Sequence, residues 1–147
     1  MKGFIMAKTE LYNRLRNRGV RPSTQRLAIM EYLLTHYTHP TVDDVFQGLS
    51  PTIKTLSRTT VYNTLRMFAE RGLAQMITID DHRVCYDGNV SPHVHFFCNV
   101  CNKIIDLHDI EAPYISAPFD VADNLVYEAQ LYYKGVCKAC RQKGTAH

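Results

Sequence analysis

The chain has 147 residues, of which 46% are hydrophobic and 21% charged, with a net charge of +3. These proportions belong to folded globular proteins and exclude a disordered chain, and the length allows one ordinary domain or two small ones. No apolar run reaches the roughly 20 residues that cross a bilayer, and the start, MKGFIMAKTELYNRLRNRG, breaks into charge too early for a signal peptide. The expected location is therefore the cytoplasm, with no membrane partner.

In chain order, helical spacing begins at Leu11, and Arg14, Arg16, Arg18 and Arg21 give this stretch its charge. Pro22 interrupts. Ser23 is placed to cap a second helix to about Tyr37, with Leu27, Met30 and Leu34 on one face. Pro40 favours an extended residue at His39. Thr41 can cap a short third helix, TVDDVFQGL, with Asp44 in the capping-box position. Ser57 opens a fourth, SRTTVYNTLRMFAERG, which Gly72 ends. Val61, Leu65, Phe68 and Ala69 repeat toward a core, while Arg58, Thr59, Tyr62, Asn63 and Arg66 share the other side.

AQMITID and HRVCYD then read as two strands joined by a turn at Asp80-Asp81. Helices followed by a hairpin is the order of a winged helix-turn-helix. Gly88, Asn89, Ser91 and Pro92 form a linker. HVHFFC, KIIDLH and VYEAQLYYKGVC are strand-like, and EAPYISAPFDVADN reads as a loop with at most a short helix. The expected class is α+β: a DNA-binding domain over 1–87, a hinge at about 80–92, and a small α/β dimerisation domain over 88–147. A second domain of only 60 residues needs a staple beyond its apolar core.

Charge supports two unlike halves. Residues 1–80 hold 11 Lys/Arg against 6 Asp/Glu, and residues 81–147 hold 6 against 8. A basic front suits a polyanionic partner. On the fourth helix, Arg and Asn can bond base edges bidentately, and Thr and Tyr suit phosphates or thymine methyls. The same face could be an ordinary solvated surface. The hairpin, the preceding short helix and the basic first helix favour double-stranded DNA.

The staple is in the cysteines. Cys98 and Cys101, and Cys137 and Cys140, are two CxxC pairs separated by 35 residues. Each such turn aims two sulfurs at one point, and two turns complete a tetrahedral four-thiolate zinc site. Disulfides are disfavoured in a reducing compartment, and neither pair is expected at the start of a helix in a βαβ unit, so a redox role is set aside. Cys85 reads as a buried small hydrophobe. A zinc deaminase would need H-x-E and P-C-x-x-C. Here Val94 is followed by His95, and Phe97 precedes Cys98, so no enzyme is expected.

His93 and His95 flank Val94, so in a strand both rings leave one face, and Asp106 on a neighbouring strand could reach the same point. Of the other histidines, His36, His82, His108 and His147 read as surface or hydrogen-bonded residues.

Arg21-Pro22-Ser23-Thr24-Gln25-Arg26, His39-Pro40-Thr41, Thr60-Val61-Tyr62-Asn63-Thr64-Leu65, His93-Val94-His95 and both CxxC pairs, in that order, resemble the ferric uptake regulator family over nearly the whole chain. The resemblance implies a homodimeric repressor that binds palindromic operators through winged helices when loaded with a divalent metal. It is most like the peroxide-responsive branch. That likeness implies one regulatory Fe(II) or Mn(II) per chain, on His39, Asp87, His93, His95 and Asp106, beside one structural zinc. Such mixed nitrogen and oxygen donors suit those metals better than zinc. The branch also implies that Fe(II) directs peroxide onto His39 and His93. Asp106 stands where iron-uptake members carry Glu, and Val94 where they carry Asp. Glu128, Ala129 and Gln130 replace a late histidine, so a third family metal site looks incomplete. An iron- or zinc-uptake regulator is the alternative. A plain zinc ribbon binding RNA or protein would leave the ordered His and Asp set unexplained.

Overall fold

A computed structural model describes residues 7–79, 82–91, 93–108, 110, 119–126 and 129–144. The expected turn at Asp80-Asp81, Pro92 of the linker, Glu128 and His147 lie outside them. The chain divides into two compact units, 1–90 and 91–147.

Among the described residues, the first unit is built from four helices and a two-stranded hairpin. Helix α1 (Lys8–Arg16) buries Leu11 and Leu15, one turn apart. Helix α2 (Thr24–Thr35) opens where the Ser23 hydroxyl accepts the Arg26 N–H at 3.2 Å. It stops two residues before the expected Tyr37. Its fully buried stripe is Ile29, Met30 and Leu33, with Leu27 and Leu34 only half-buried at its margin. Helix α3 (Val42–Leu49) has the expected capping box: Asp44 N–H donates to the Thr41 hydroxyl at 3.1 Å, and Thr41 N–H to the Asp44 carboxylate at 3.0 Å.

Ser57 caps helix α4 (Arg58–Glu70), which buries Val61, Thr64, Leu65 and Phe68. Gly72, at φ +72°, ends it. Its N–H donates to Ala69 and the Leu73 N–H to Phe68, which is a Schellman motif. These helices close one core around Leu15, Ile29, Leu33, Val61, Leu65 and Phe68. Strands β1 (Gln75–Ile77) and β2 (Cys85–Asp87) pair antiparallel with Ile77 opposite Cys85. Cys85 is fully buried.

The capping box also fixes the loop that carries His39 just ahead of α3. Thr41→Ala removes one of its two bonds and is expected to lower the stability of the first unit by ~1 kcal/mol. Urea unfolding followed by circular dichroism reads this as a lower midpoint at unchanged slope. An unchanged midpoint would show that the cap carries nothing.

In the second unit, β3 (Val94–Cys98) is the middle strand of three among the described residues. It pairs antiparallel with β4 (Ile104–Leu107) and parallel with β7 (Tyr132–Gly135). Between them in sequence, β5 (Phe119–Val121) and β6 (Asn124–Val126) form a hairpin. This corrects the expected loop at its C-terminal end; residues 111–118 of that segment lie outside the described ones. The turn residues Ala122 and Asp123 both have positive φ, at 49° and 64°, and the Asn124 side-chain amide donates to the carbonyls of Val121 and Ala122. A hairpin turn usually signals itself with Gly or Asn at such positions, and this one does not. VYEAQLYYKGVC is likewise not one strand: Val126 ends β6, and pairing resumes at Tyr132. A short helix, α5 (Lys138–Gln142), closes the unit.

Candidate metal centres and nucleic-acid face

The four cysteines of the second unit converge. Cys98 ends β3 and Cys101 follows in a tight turn, which Asn102, at φ +62°, reverses into β4. Asn102 N–H donates to the Cys98 carbonyl at 2.9 Å, and Cys98 N–H to Lys103 at 3.0 Å. The parallel β3–β7 pairing sets Gly135 beside Cys98 and so delivers Cys137 to the same point. Cys137 is the N-cap of α5, and Cys140 sits in its first turn. The second CxxC pair therefore opens a helix, but among the described residues no strand follows α5 and no βαβ unit exists.

All four sulfurs lie within 4.8 Å of one another, and those of Cys101 and Cys137 are 3.9 Å apart. Four sulfurs at ~2.3 Å from one zinc in a tetrahedron stand about 3.8 Å apart, so the spacing fits the ion. Phe96, Ile105 and Val136 pack against the cluster. Backbone N–H groups of Cys101 and Cys137, donating to the Cys98 sulfur, bring its thiol down to about 6. The Cys140 thiol is pushed up to about 12, first by its bond to the Cys137 sulfur and then by burial. Sulfurs this close cannot all ionise without a cation, and a bound divalent ion removes that penalty. With four saturating thiolates, a zinc ion held here would be structural.

Each unit also carries His and Asp donors. In the first, His39 and Asp87 are both buried, and His39 Nε2 lies 3.7 Å from Asp87 Oδ2. Asp87 ends β2, and its Oδ1 accepts the Asn89 N–H at 2.9 Å, leaving Oδ2 toward the imidazole. His39 is not extended as Pro40 led us to expect. Its φ is +56°, in the left-handed region, which histidine enters more readily than most residues. The Tyr86 N–H bonds the Pro40 carbonyl at 2.9 Å and ties this loop to β2, so tertiary contacts hold a conformation that local preference opposes.

In the second unit, His95 stands directly opposite Asp106 across β3 and β4. Asp106 Oδ1 lies 3.4 Å from His95 Nε2 and 3.3 Å from His93 Nε2, and all three side chains are at least nine-tenths buried. The His93 Nδ1 lies 2.7 Å from the Ser91 carbonyl. A donated Nδ1–H there leaves Nε2 as the lone-pair nitrogen a metal needs. His108, read from sequence as a surface or hydrogen-bonded residue, is 62% exposed, with Nε2 3.9 Å from Asp106 Oδ2 and a ring 5.5 Å from that of His93.

The predicted polar face of α4 is open: Arg58, Thr59, Tyr62, Asn63 and Arg66 are all exposed. Arg66 lies between Tyr62 and Glu70, with Nη1 3.5 Å from the phenol and Nε 3.4 Å from the carboxylate.

A winged-helix unit followed by a sheet unit stapled by four cysteines and bearing buried His and Asp donors defines a metal-binding regulator. Residues 17–121 match the ferric uptake regulator family, and the chain belongs to that family of metal-dependent transcription regulators. It is 37% identical over 131 residues to the peroxide-responsive repressor PerR of Staphylococcus epidermidis, covering 88% of this chain and 87% of that one. To PerR of Staphylococcus aureus it is 39% identical over 136 residues, covering 88% of each. Its fold is shared with the ferric uptake regulator Fur of Helicobacter pylori at a TM-score of 0.68 and 18% identity, over 96% of this chain and 97% of that one. Among the described residues, no helix is long and apolar enough to cross a membrane.

Proposed function

We propose that this protein is a homodimeric repressor that binds palindromic operator DNA through α4, and that it senses peroxide at a regulatory Fe(II) site. The observation that carries the peroxide reading is Asp106, a shorter carboxylate than Glu, set against both His93 and His95. His39 and Asp87 supply the remaining donors, so one ion drawing on all five would favour one arrangement of the two units over others. Binding then selects the DNA-competent state, which is allosteric coupling in its thermodynamic sense. Residues 1–87, with the hinge at about 80–92, are the DNA-binding domain in this reading, and 88–147 the dimerisation domain. Val121 and Leu125 of the β5–β6 hairpin, 52% and 54% exposed, offer apolar surface to a second copy. Two recognition helices in a dimer would meet successive major grooves ~34 Å apart.

Fe(II), when bound, supplies one-electron chemistry toward peroxide that Mn(II) lacks. The residues that respond are the imidazoles of His39 and His93. One oxygen of hydrogen peroxide is added to a ring carbon, the other leaves as water, and the ring is oxidised by two electrons. An oxidised ring loses its place in the donor set, and the DNA-competent state is no longer favoured. The zinc thiolates, held by their ion, are spared.

The DNA reading is tested on α4. Arg58→Ala, Tyr62→Ala and Asn63→Ala are each expected to weaken operator binding by about 5- to 100-fold, on the scale of a lost base or phosphate contact. Fluorescence anisotropy of the Mn(II) protein across a salt series separates the two, because only a phosphate contact makes the salt slope shallower. Unchanged affinity in all three variants would place the reader elsewhere.

A further inference from the structure

Arg58, the first residue of α4, is held by α3. Its Nε donates to Asp43 Oδ1 at 2.9 Å, and its guanidinium carbon lies 4.4 Å from the centre of the Phe46 ring. Asp43 and Phe46 are three residues apart on α3 and so share a face of it. The two charged side chains remain 59% and 61% exposed, and a pair so open to water adds little to folding stability. What the arrangement does supply is geometry. The ring backs the guanidinium, and the carboxylate occupies its Nε side. The two Nη nitrogens are left as a fork, which is the shape that matches O6 and N7 of guanine.

The neighbouring carboxylate has a separate task. Asp44 bonds back to the Thr41 N–H and caps α3, so Asp43 is not needed for the cap. An acidic side chain beside a helix that meets DNA repels phosphates, which makes Asp43 a cost unless it acts through Arg58. Engagement of Nε by Asp43 also disfavours the side-on, Nε-using grip that Arg commonly takes on phosphate.

We propose that Asp43, together with Phe46, is a positioning residue that presets Arg58 to read a guanine in the major groove. This rests on α4 being the DNA-contacting element. The test uses the full chain with its zinc, loaded with Mn(II), and a random-sequence duplex library. Affinities are then measured on the selected duplex, on its single guanine-to-adenine variants, and on an unrelated duplex. The wild-type chain is expected to discriminate about tenfold or more at one guanine of each half-site, and Arg58→Ala to lose that discrimination. Asp43→Ala should cut it by about fivefold, while binding the unrelated duplex at least as well, since a negative charge is gone. Asp43→Asn, which keeps an acceptor oxygen, should retain most of it. A simple charge effect would instead shift all affinities together and leave Ala and Asn alike. Wild-type discrimination in Asp43→Ala, or a wild-type chain with no guanine preference lost in Arg58→Ala, overturns the proposal. Failure of the wild-type chain to bind any duplex would bring down the DNA reading itself, an outcome distinct from either of these.

Discussion

Replacing Cys98 or Cys137 with Ser is expected to strip zinc from the second unit and unfold it. Structural zinc sites contribute roughly 10–16 kcal/mol of apparent binding free energy, comparable to the entire ~5–15 kcal/mol stability of a typical domain. The cysteine cluster is itself the centre of a small apolar group with Phe96, Ile105 and Val136. Cys98 also accepts N–H bonds from Cys101 and Cys137, so its loss loosens both knuckles at once. Variant protein should contain less than one zinc per chain, lose β-sheet circular dichroism, and sediment with reduced dimer content. Chelation of the wild-type chain should do the same. Cys85→Ser is the control: Cys85 is buried in the first unit and should leave one zinc in place. Folded dimers from both zinc-site variants, with no bound metal, would remove the claim that zinc holds this unit together.

The second large effect is metal-specific. Operator complexes of the Fe(II) protein should dissociate on treatment with stoichiometric peroxide, while Mn(II) complexes stay bound. The donor chemistry is identical for both ions, so the contrast isolates the redox step from loss of fit. Mass spectrometry of the released protein should find one added oxygen on the peptide holding His39 or on that holding His93. Adducts at Cys98, Cys101, Cys137 and Cys140 should lag, because zinc ties up those thiolates. Asp106→Ala should abolish metal-dependent DNA binding altogether, since it removes the oxygen shared by His93 and His95. An equal response of the Mn(II) form, or oxidation confined to cysteines, would sink the peroxide reading. A response to metal supply alone, with no peroxide effect, would favour an iron- or zinc-uptake regulator.

Several features of both units were legible because their signals are local. Ser23, Thr41 with Asp44, Ser57 and Gly72 each act within a few residues of the helix end they define, so spacing alone reveals them. The two CxxC turns and the alternation of His93 with His95 are equally short-ranged. The buried stripe of α2 was displaced by a residue or two, since Leu27, Met30 and Leu34 satisfy the helical period about as well as Ile29, Met30 and Leu33. Which edge of an apolar stripe goes deepest depends on the neighbours that meet it.

The order of the first four helices, the helix ends marked by caps and the two CxxC turns follow from local sequence. Tertiary structure alone decided how those turns meet. The parallel pairing of β3 with β7 joins residues far apart in the chain and brings the second cysteine pair to the first. No local pattern encodes that partner. His39 takes a left-handed φ against the preference imposed by Pro40, because the bond from Tyr86 to Pro40 and the approach of Asp87 outweigh a cost of roughly 1–3 kcal/mol. Arg58 meets Asp43 across fifteen positions, and the β5–β6 turn forms without Gly. The pairing of β3 with β7 and the bond that holds the His39 loop join residues distant in sequence, and such contacts exist only once the chain has folded.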